Sequence, residues 1–328
     1  MTQVRSHADQ HGAALLTAML TVALIATLAA GAIWQQWRLT EVEGIERHRA
    51  QARWLLTGAL DWARVVLRED ARASAATGNL PIDHLGEPWA VPLQEVRLSS
   101  FLTALPQDGS SSDDLALADQ VLLSGRINDL QGRLNVTNLL QGKELDRVSL
   151  AAFSRLFYVL GLPITQLNTL TQGLQAAQQQ QPGAPPMPQR VAQLAWLGVL
   201  PDTLAVLSPY ITVLPNRTPV NVNTAPYQVL YAALPELSLA KAQELVQTRS
   251  RSPWADVESF GKTANHNGSD NLSVNTEFFE VIGQLRMRDV LVLERSVVLR
   301  QGDDARILWR EFGPWSRWPL KAEAASLQ

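Results

Sequence analysis

HGAALLTAMLTVALIATLAAGAIWQQW, His11 to Trp37, runs directly into RLTEVEGIERHRAQARWLLTGALDWARVVLRED, Arg38 to Asp70, and the difference between the two stretches decides the fold. No Lys, Arg, Asp or Glu lies between Gly12 and Arg38, and this uncharged run exceeds the ~20 apolar residues a helix needs to cross a bilayer. The second stretch has no Pro and carries apolar residues at helical spacing: Val42, Ile45, Ala52, Leu55, Ala59, Ala63 and Val66. The pattern predicts one helix passing from lipid into water. At 1.5 Å per residue, a helix over 13–76 would be roughly 95 Å long, more than an anchor needs. Its first half faces lipid all round, and its second half bears one apolar stripe that a folded domain must cover.

The chain has 328 residues, 46% of them hydrophobic, which allows two or more domains with real cores. A net charge of -3 argues against a nucleic-acid footprint, which is normally strongly basic. The absence of cysteine excludes disulfides, thiolate nucleophiles and Cys-ligated metal, and leaves the compartment open. Charge does not set the membrane orientation, because Arg5 is offset by Asp9 and Arg38 lies beyond the span. Ala30-Gly31-Ala32 has the form of a signal-peptidase site, but the apolar run is longer than the 7 to 15 residues or so of a secretory signal. An ordinary single-pass anchor stays open on spacing alone.

Beyond the helix, the TGNLP turn at Thr77 to Pro81 stops it. Asp83 and His84 could form an acid–base pair, but no nucleophile is placed near them, and they read as turn-forming residues. The acidic loop from Pro106 to Asp114 (Asp108 to Asp114 carry the carboxylates) could hold a hard cation, yet it lacks EF-hand alternation and reads as a solvated loop. Gln120 to Asn128 predicts a strand that turns at Gln131-Gly132 into a second extended piece ending at Asn138. Arg126, Asp129, Arg133, Asn135 and Asn138 read as turn and domain-junction hydrogen bonding rather than a catalytic cluster.

From Asp146 the pattern turns helical, with Leu150, Phe153, Leu156, Phe157 and Leu160 on one packed face. A second helix is expected in PITQLNTLTQGLQAAQQQQ and a third in MPQRVAQLAWLGVLPDTLAVLSPYITVLP. The low-complexity stretch from Gln178 to Gln189 reads as a mobile loop with little capacity to pack. Thr218 to Phe260 is similar to a helix-hairpin-helix unit, with Thr224 as cap, Pro226 in the first turn, a hairpin from Leu234 to Leu239 and a second helix from Ala240 to Thr248. Its hairpin carries Glu236 and Ser238 where a DNA-binding unit has glycines. A carboxylate repels phosphate and a Cβ blocks close approach, so packing is the better reading. After the polar loop Thr263 to Asn271, the runs EFFEVIGQL, VLVLERSVVLR and ARILWREFG predict an antiparallel meander laid over the stripe of the first helix. The tail beyond Pro319 reads as disordered.

Several pieces together resemble one family: the leader ending at Gly12, WLLTGALDWARVVLRED, DHLGEPWA, SGRINDLQGRLNVTNLL and PVNVNTAPYQVL. They look like the K-class minor pseudopilin of type II secretion systems. The resemblance implies an α+β, pilin-like fold: a long N-terminal helix on an antiparallel sheet, with a large all-α domain inserted. The expected divisions are a leader over 1–12, the helix over 13–76 with its span over 13–37, sheet segments over 77–138 and 273–318, the insert over 139–272, and a tail over 319–328. It further implies cleavage after Gly12 by the prepilin peptidase, N-methylation of Ala13, and assembly through the helix bearing Leu16, Thr17, Leu20 and Leu24. Shaft pilins have a glutamate as fifth mature residue, paired with a neighbour's N-terminal amine; here Thr17 stands there, which suits a subunit with none above it. A threonine bonding back within its own helix is the compatible local reading.

Relatives often hold calcium in an acidic loop of the insert, but Gln172 to Gln189 has no carboxylate, so no calcium and no other cofactor is expected there. The implied role is non-enzymatic: capping the tip of a periplasmic pseudopilus, starting its assembly with other minor pseudopilins, and contacting cargo or the outer-membrane secretin. The implied place is the bacterial inner membrane, single pass, with the C-terminal domain in the periplasm and no nucleic-acid partner. A minor pilin of a type IV pilus, a membrane-tethered DNA-uptake protein and an envelope hydrolase using Asp83 or His84 are the other readings.

Overall fold

The structure is a computed structural model that describes residues 11–76, 82–103, 118–266, 268, 271–287 and 290–313. The leader through residue 10, the turn at 77–81, the acidic loop at 106–114 and the tail beyond Pro319 lie outside the described residues. Helix α1 (His11–Ala76) is unbroken, as its sequence predicts. Strand β1 (Leu93–Arg97), helix α2 (Leu98–Thr103) and strand β2 (Val121–Asp129) follow. Then come β3 (Leu134–Asn135), β4 (Leu140–Gln141), β5 (Glu144–Leu145), α3 (Arg147–Val159), α4 (Ile164–Gln178), α5 (Pro201–Leu207), β6 (Ile211–Thr212) and β7 (Val220–Asn221). Helices α6 (Tyr227–Ala233), α7 (Leu239–Arg251) and α8 (Val257–Ala264) precede β8 (Leu272–Ser273), β9 (Phe278–Met287), β10 (Val290–Gln301) and β11 (Asp304–Phe312).

The chain divides into two units, Met1–Trp54 and Leu55–Gln328. In the first, α1 is long and apolar enough to cross a membrane, with a mean hydropathy of 2.1 in its most apolar window. Its apolar side chains are exposed from Leu15 through Ile45, as expected of a surface made for lipid or for other helices. Towards its end, spaced pairs such as Arg47 with Glu43 and Arg49 with Glu46 replace them.

In the second unit the same helix becomes amphipathic, and Leu56, Leu60, Ala63 and Leu67 are buried at spacings of four and three. They lie against an antiparallel sheet of order β1-β2-β9-β10-β11. Leu60, Ala63 and Leu67 share a core with Trp89, Phe279, Val281, Val298 and Ala305, so the meander covers the end of α1 as predicted. The buried line differs from the predicted stripe: Val42 and Ile45 are exposed, Leu55, Ala59 and Val66 are half-buried, and Leu56, Leu60 and Leu67 point inward beside Ala63. The chain leaves the sheet after Asp129 on β2 and re-enters at Phe278 on β9; Asp129 and Phe279 are direct register partners. The inserted segment leaves and returns there, and it also meets the sheet through Leu214, packed with Val297 and Leu299, and through Arg190, paired with Glu311. The inserted segment has its own large core, including Phe153, Phe157, Leu170, Leu194, Leu230 and Phe260.

Helix α3 starts where Asp146 accepts a bond from the Ser149 amide, and its predicted face is buried at Phe153, Leu156 and Phe157 but only partly at Leu150 and Leu160. Four expectations need correction. The third predicted helix breaks into a 3-10 turn, Val191–Leu197, and α5, because Gly198 adopts φ 89 and Pro201 opens a new helix; Ile211 and Thr212 then form a parallel bridge with β3. The second extended piece is strand only at Leu134–Asn135, since the Asn135 side chain caps a 3-10 turn over Val136–Leu139. Thr224 does not cap α6: Pro226 holds that position, and the Thr224 hydroxyl is drawn to Asp129. The low-complexity loop does pack, because Met187 lies on the insert core and Pro188 is buried.

Candidate functional site

Two regions collect the residues singled out by sequence. The first is the start of α1. Gly12 and Ala13 lie in its first turn. Leu16, Leu20 and Leu24, four apart, form one exposed apolar line. The Thr17 hydroxyl donates to the Ala14 carbonyl at 2.9 Å, the local bond expected of a threonine in an apolar helix.

The second region is the seam between sheet and insert. Asp129, at the end of β2, is buried, and its carboxylate accepts from the Thr224 hydroxyl at 2.6 Å, the Asn221 amide side chain at 2.9 Å and the Gln131 backbone N–H at 2.6 Å. Burial pushes its pKa up, against the pull of these donors. Asn221 also donates to the Asp83 carbonyl at 3.0 Å, and Gln131 accepts from the Glu277 amide at 2.8 Å. Asn223 bonds Trp254 in both directions, its amide donating at 2.9 Å and its oxygen accepting at 3.0 Å. Buried Arg249 donates to the carbonyls of Val222 and Ala225. Gly132 sits so close that a Cβ there would meet the Thr224 hydroxyl at 2.7 Å. The stretches SGRINDLQGRLN and NVNTAPYQVL are therefore the two sides of one joint, and the junction reading of Asp129, Asn135 and Asn138 matches their bonds to the 214–224 segment.

Beside the seam, Arg300 of β10 donates to Asp70 of α1 at 2.8 Å and to both oxygens of Asp83, at 2.5 and 2.7 Å. It also donates to the Thr276 carbonyl at 3.1 Å and stacks on Phe279, 4.7 Å from the ring centre. Burial pushes Asp83 up to about 6, with Arg300 pulling the other way. Burial also raises Glu87, to about 7, although its carboxylate accepts from the Trp89 indole at 2.6 Å and the His84 amide at 2.9 Å. His84 is lowered by burial, and its Nδ1 accepts from the Gly86 amide. Asp83 and His84 thus face different partners, as turn and packing residues do. Asp70, Asp83 and Glu87 offer carboxylate oxygens within 4.8 Å of one another, a donor set suited to a hard cation. Arg300 already bonds two of the three and supplies the opposing charge.

At the turn between α6 and α7, Arg155 of α3 donates to the carbonyls of Tyr231, Leu234, Pro235 and Leu237 and packs on the Tyr231 ring at 4.2 Å. Exposed Glu236 stands on the turn, and Ser238 caps α7 through the Lys241 amide. The turn is held from the insert's own side by a cation. Sequence reasoning singled out neither Arg155, Arg249, Arg300 nor Glu280, which is buried between Arg133 and Arg295. For Arg300 and Glu280 the available signal was a charge within a largely apolar strand run, VLVLERSVVLR and EFFEVIGQL; Arg249, in the polar run VQTRSRS, carried none.

With this geometry in place, three comparisons agree. Family models described as type II secretion system (T2SS), protein K match residues 132–216 and 220–281. The chain is 29% identical to the type II secretion system protein K of Pseudomonas aeruginosa, covering 93% of each. It is 26% identical to the protein of that name from Pectobacterium carotovorum, covering 93% of this chain and 97% of the other. In fold it is similar to a chain in the crystal structure of the GspK-GspI-GspJ complex from the enterotoxigenic Escherichia coli type 2 secretion system. The TM-score is 0.62 at 17% identity, over 82% of this chain and 98% of that one.

Proposed function

The chain belongs to the type II secretion system protein K family, and from that premise we infer that it is a non-enzymatic minor pseudopilin, seated at the tip of a short periplasmic fibre. The observation that carries the reading is the division of labour along α1. An uncovered apolar helix is available to lipid or neighbouring subunits, and its continuation is buried under a sheet whose β2–β9 junction carries the inserted domain. Its partners are the counterparts of the subunits named with it in the related complex, the other minor pseudopilins. Secreted cargo or the outer-membrane secretin are further contacts of the same tip.

In this reading the prepilin peptidase cuts after Gly12 and Ala13 becomes the methylated terminus. The helix sits in the inner membrane with the second unit in the periplasm, and Leu16, Leu20 and Leu24 meet neighbouring helices. Thr17 offers no charge to a subunit above. Three of the buried acids, Asp83, Asp129 and Glu280, are committed to packing bonds, which supports a structural rather than a catalytic role. The loop from Gln172 to Gln189 binds no calcium, for want of carboxylates.

Mass spectrometry of the mature N-terminus tests this directly. With the prepilin peptidase present, the protein should begin at methylated Ala13; without it, at Met1. A terminus at Ile33, or an uncut chain in both cells, would remove the basis of the reading. Co-purification with the other minor pseudopilins should also depend on that cleavage.

A further inference from the structure

Between the second part of α1 and the sheet lies a half-open cleft of about 300 Å³. Ala59, Ala63 and Val66 form its helix wall, and Trp89 and Val91 the wall opposite. Its floor has a simple cause. Gly125, Gly283 and Glu294 stand in one row across β2, β9 and β10, so two adjacent strands present no side chain beneath the helix. The strands and helix close tightly around the row, since a Cβ on Gly283 would meet Leu56 at 2.9 Å and one on Gly125 the Ile282 carbonyl at 2.9 Å.

At the end of that row Glu294 is only 3% exposed. One of its oxygens accepts from the Ser296 hydroxyl at 3.1 Å, and the other, Oε2, is buried with no hydrogen-bond partner. A carboxylate oxygen left in that state costs free energy, and such atoms are uncommon in native proteins. Burial accordingly shifts the Glu294 pKa upward. Mostly apolar walls with a few polar groups, Glu294 among them with Ser124, Arg126 and Ser296, at the lower end of the usual volume range, describe a small-molecule site.

We propose that this cleft binds a small apolar molecule bearing one hydrogen-bond donor, best matched by an arylalkyl amine, with its ring between Ala59 and Trp89 and its donor on Glu294 Oε2. An amine adds a charge of the right sign to the bond, and the ring packs on the apolar lining beside Leu56. Arg126 also lines the cleft, so an aryl carboxylate is the competing ligand.

The test uses three photoreactive aryl diazirines that differ only in their substituent, an aminomethyl, a methyl or a carboxylate group. The whole chain is labelled in detergent micelles and the adducts are mapped by mass spectrometry. The amine should label 56–66 and 88–93 about tenfold more than the methyl compound, the usual scale for one charge-assisted hydrogen bond. Ala59→Leu, which fills the cleft from a helix-compatible position, should abolish labelling there by all three. Glu294→Ala should leave the methyl compound's labelling in place while removing the advantage of the amine; unchanged circular dichroism certifies both variants as folded. Equal labelling by amine and hydrocarbon in the parent chain, a preference for the carboxylate, or labelling indifferent to Ala59→Leu would each overturn the proposal.

Discussion

Replacing Arg300 with methionine leaves Asp83 and Asp70 facing each other without their cation. Arg300 is 5% exposed and Asp83 1%, so water cannot take over the lost bonds. Breaking a buried pair from one side costs ~3–5 kcal/mol, because the remaining charge stays buried. Asp83 has one escape, which is to take up a proton. Its pKa is already about 6 with Arg300 in place, and removing the cation that opposes the burial effect raises it further. The penalty should therefore depend on pH, being full at pH 8 and about half of that at pH 5, where the carboxyl is neutral. For a folded unit of this size, 1 kcal/mol corresponds to ~2–4 °C, so the midpoint should fall by ~6–20 °C at pH 8. Thermal unfolding of the whole chain in mild detergent, followed by near-ultraviolet circular dichroism, reads this shift. Arg300→Met combined with Asp83→Asn should recover most of the loss, since asparagine needs no counter-charge and still accepts from the Thr276 amide, as Asp83 does at 2.7 Å. A shift under ~2 °C at pH 8, or a double variant no better than the single one, would refute the assignment of Arg300 as the counter-charge.

The same carboxyls make the parent protein pH-sensitive. Asp83 and Glu87 have folded values raised to about 6 and about 7, so their contribution is full below the unfolded values near 4 and is lost as pH rises through those folded values. Stability should therefore fall between about pH 4 and pH 7 and level off above, and Glu87→Gln should flatten the upper part of that slope in urea titrations. Glu280 acts oppositely: its pKa is lowered to about 2 by Arg133 and Arg295 despite burial, so its contribution is present above 4.5 and lost on acidification. Gly132→Ala should cost ~1–3 kcal/mol by pushing Thr224 off Asp129, and a second change, Thr224→Ser, should not restore it, because the crowded hydroxyl remains. Thr17→Glu places an acid in the membrane part of α1 at ~2.5–3.5 kcal/mol, and only a neighbour's terminal amine can offset that. On the tip reading, the variant should be found along the fibre rather than at one end in cross-linking to neighbours, and unchanged cross-links would count against Thr17 as the determinant.

How far the sequence can be read follows from the range of each interaction. The continuity of α1 and the three closing strands are local patterns found where periodicity puts them, whereas the change of character of α1 comes later than Trp37, with apolar side chains exposed through Ile45 and burial under the sheet from Leu56. The seam was legible only as a class: Asp129 and Asn138 were recognisable as junction residues, but their partners lie about 80–95 residues away, beyond any spacing rule. Thr224 was misread as a helix cap for that reason, since a threonine before Ala-Pro has the local credentials of a cap while a distant carboxylate competes for its hydroxyl. The inward positions of Glu294 and Arg300 were invisible because the sign of a strand's register, not its composition, decides which side chains turn to the helix. The cleft depends on Gly125 and Gly283 becoming neighbours, a fact of pairing that neither strand carries alone.

The two kinds of bond under α1 do different work. Burying Leu56, Leu60 and Leu67 is worth ~1.5–3 kcal/mol apiece, several kcal/mol together, which exceeds what a buried ion pair contributes net. The stripe therefore holds the helix to the sheet. It fixes only coarsely where along the sheet the helix lies, because a slip of one turn, ~5.4 Å, would put Leu60 where Leu56 had been, although it would also put Ala63 where Leu60 had been. The polar contacts have no such repeat. Asp70 meets Arg300 in one position only, and Leu56 fits over Gly283 in that same position. From Arg300 the bonds continue through Asp83, whose carbonyl accepts from Asn221, to Asp129, Thr224 and the carbonyls held by Arg249. Helix register, sheet and insert are thus set by one connected series of directional bonds, while apolar burial supplies the strength that keeps them closed. Load applied along α1 acts in the direction in which the leucine stripe alone resists least, so under such a load the directional bonds at Asp70 and Arg300 are the ones that hold the register.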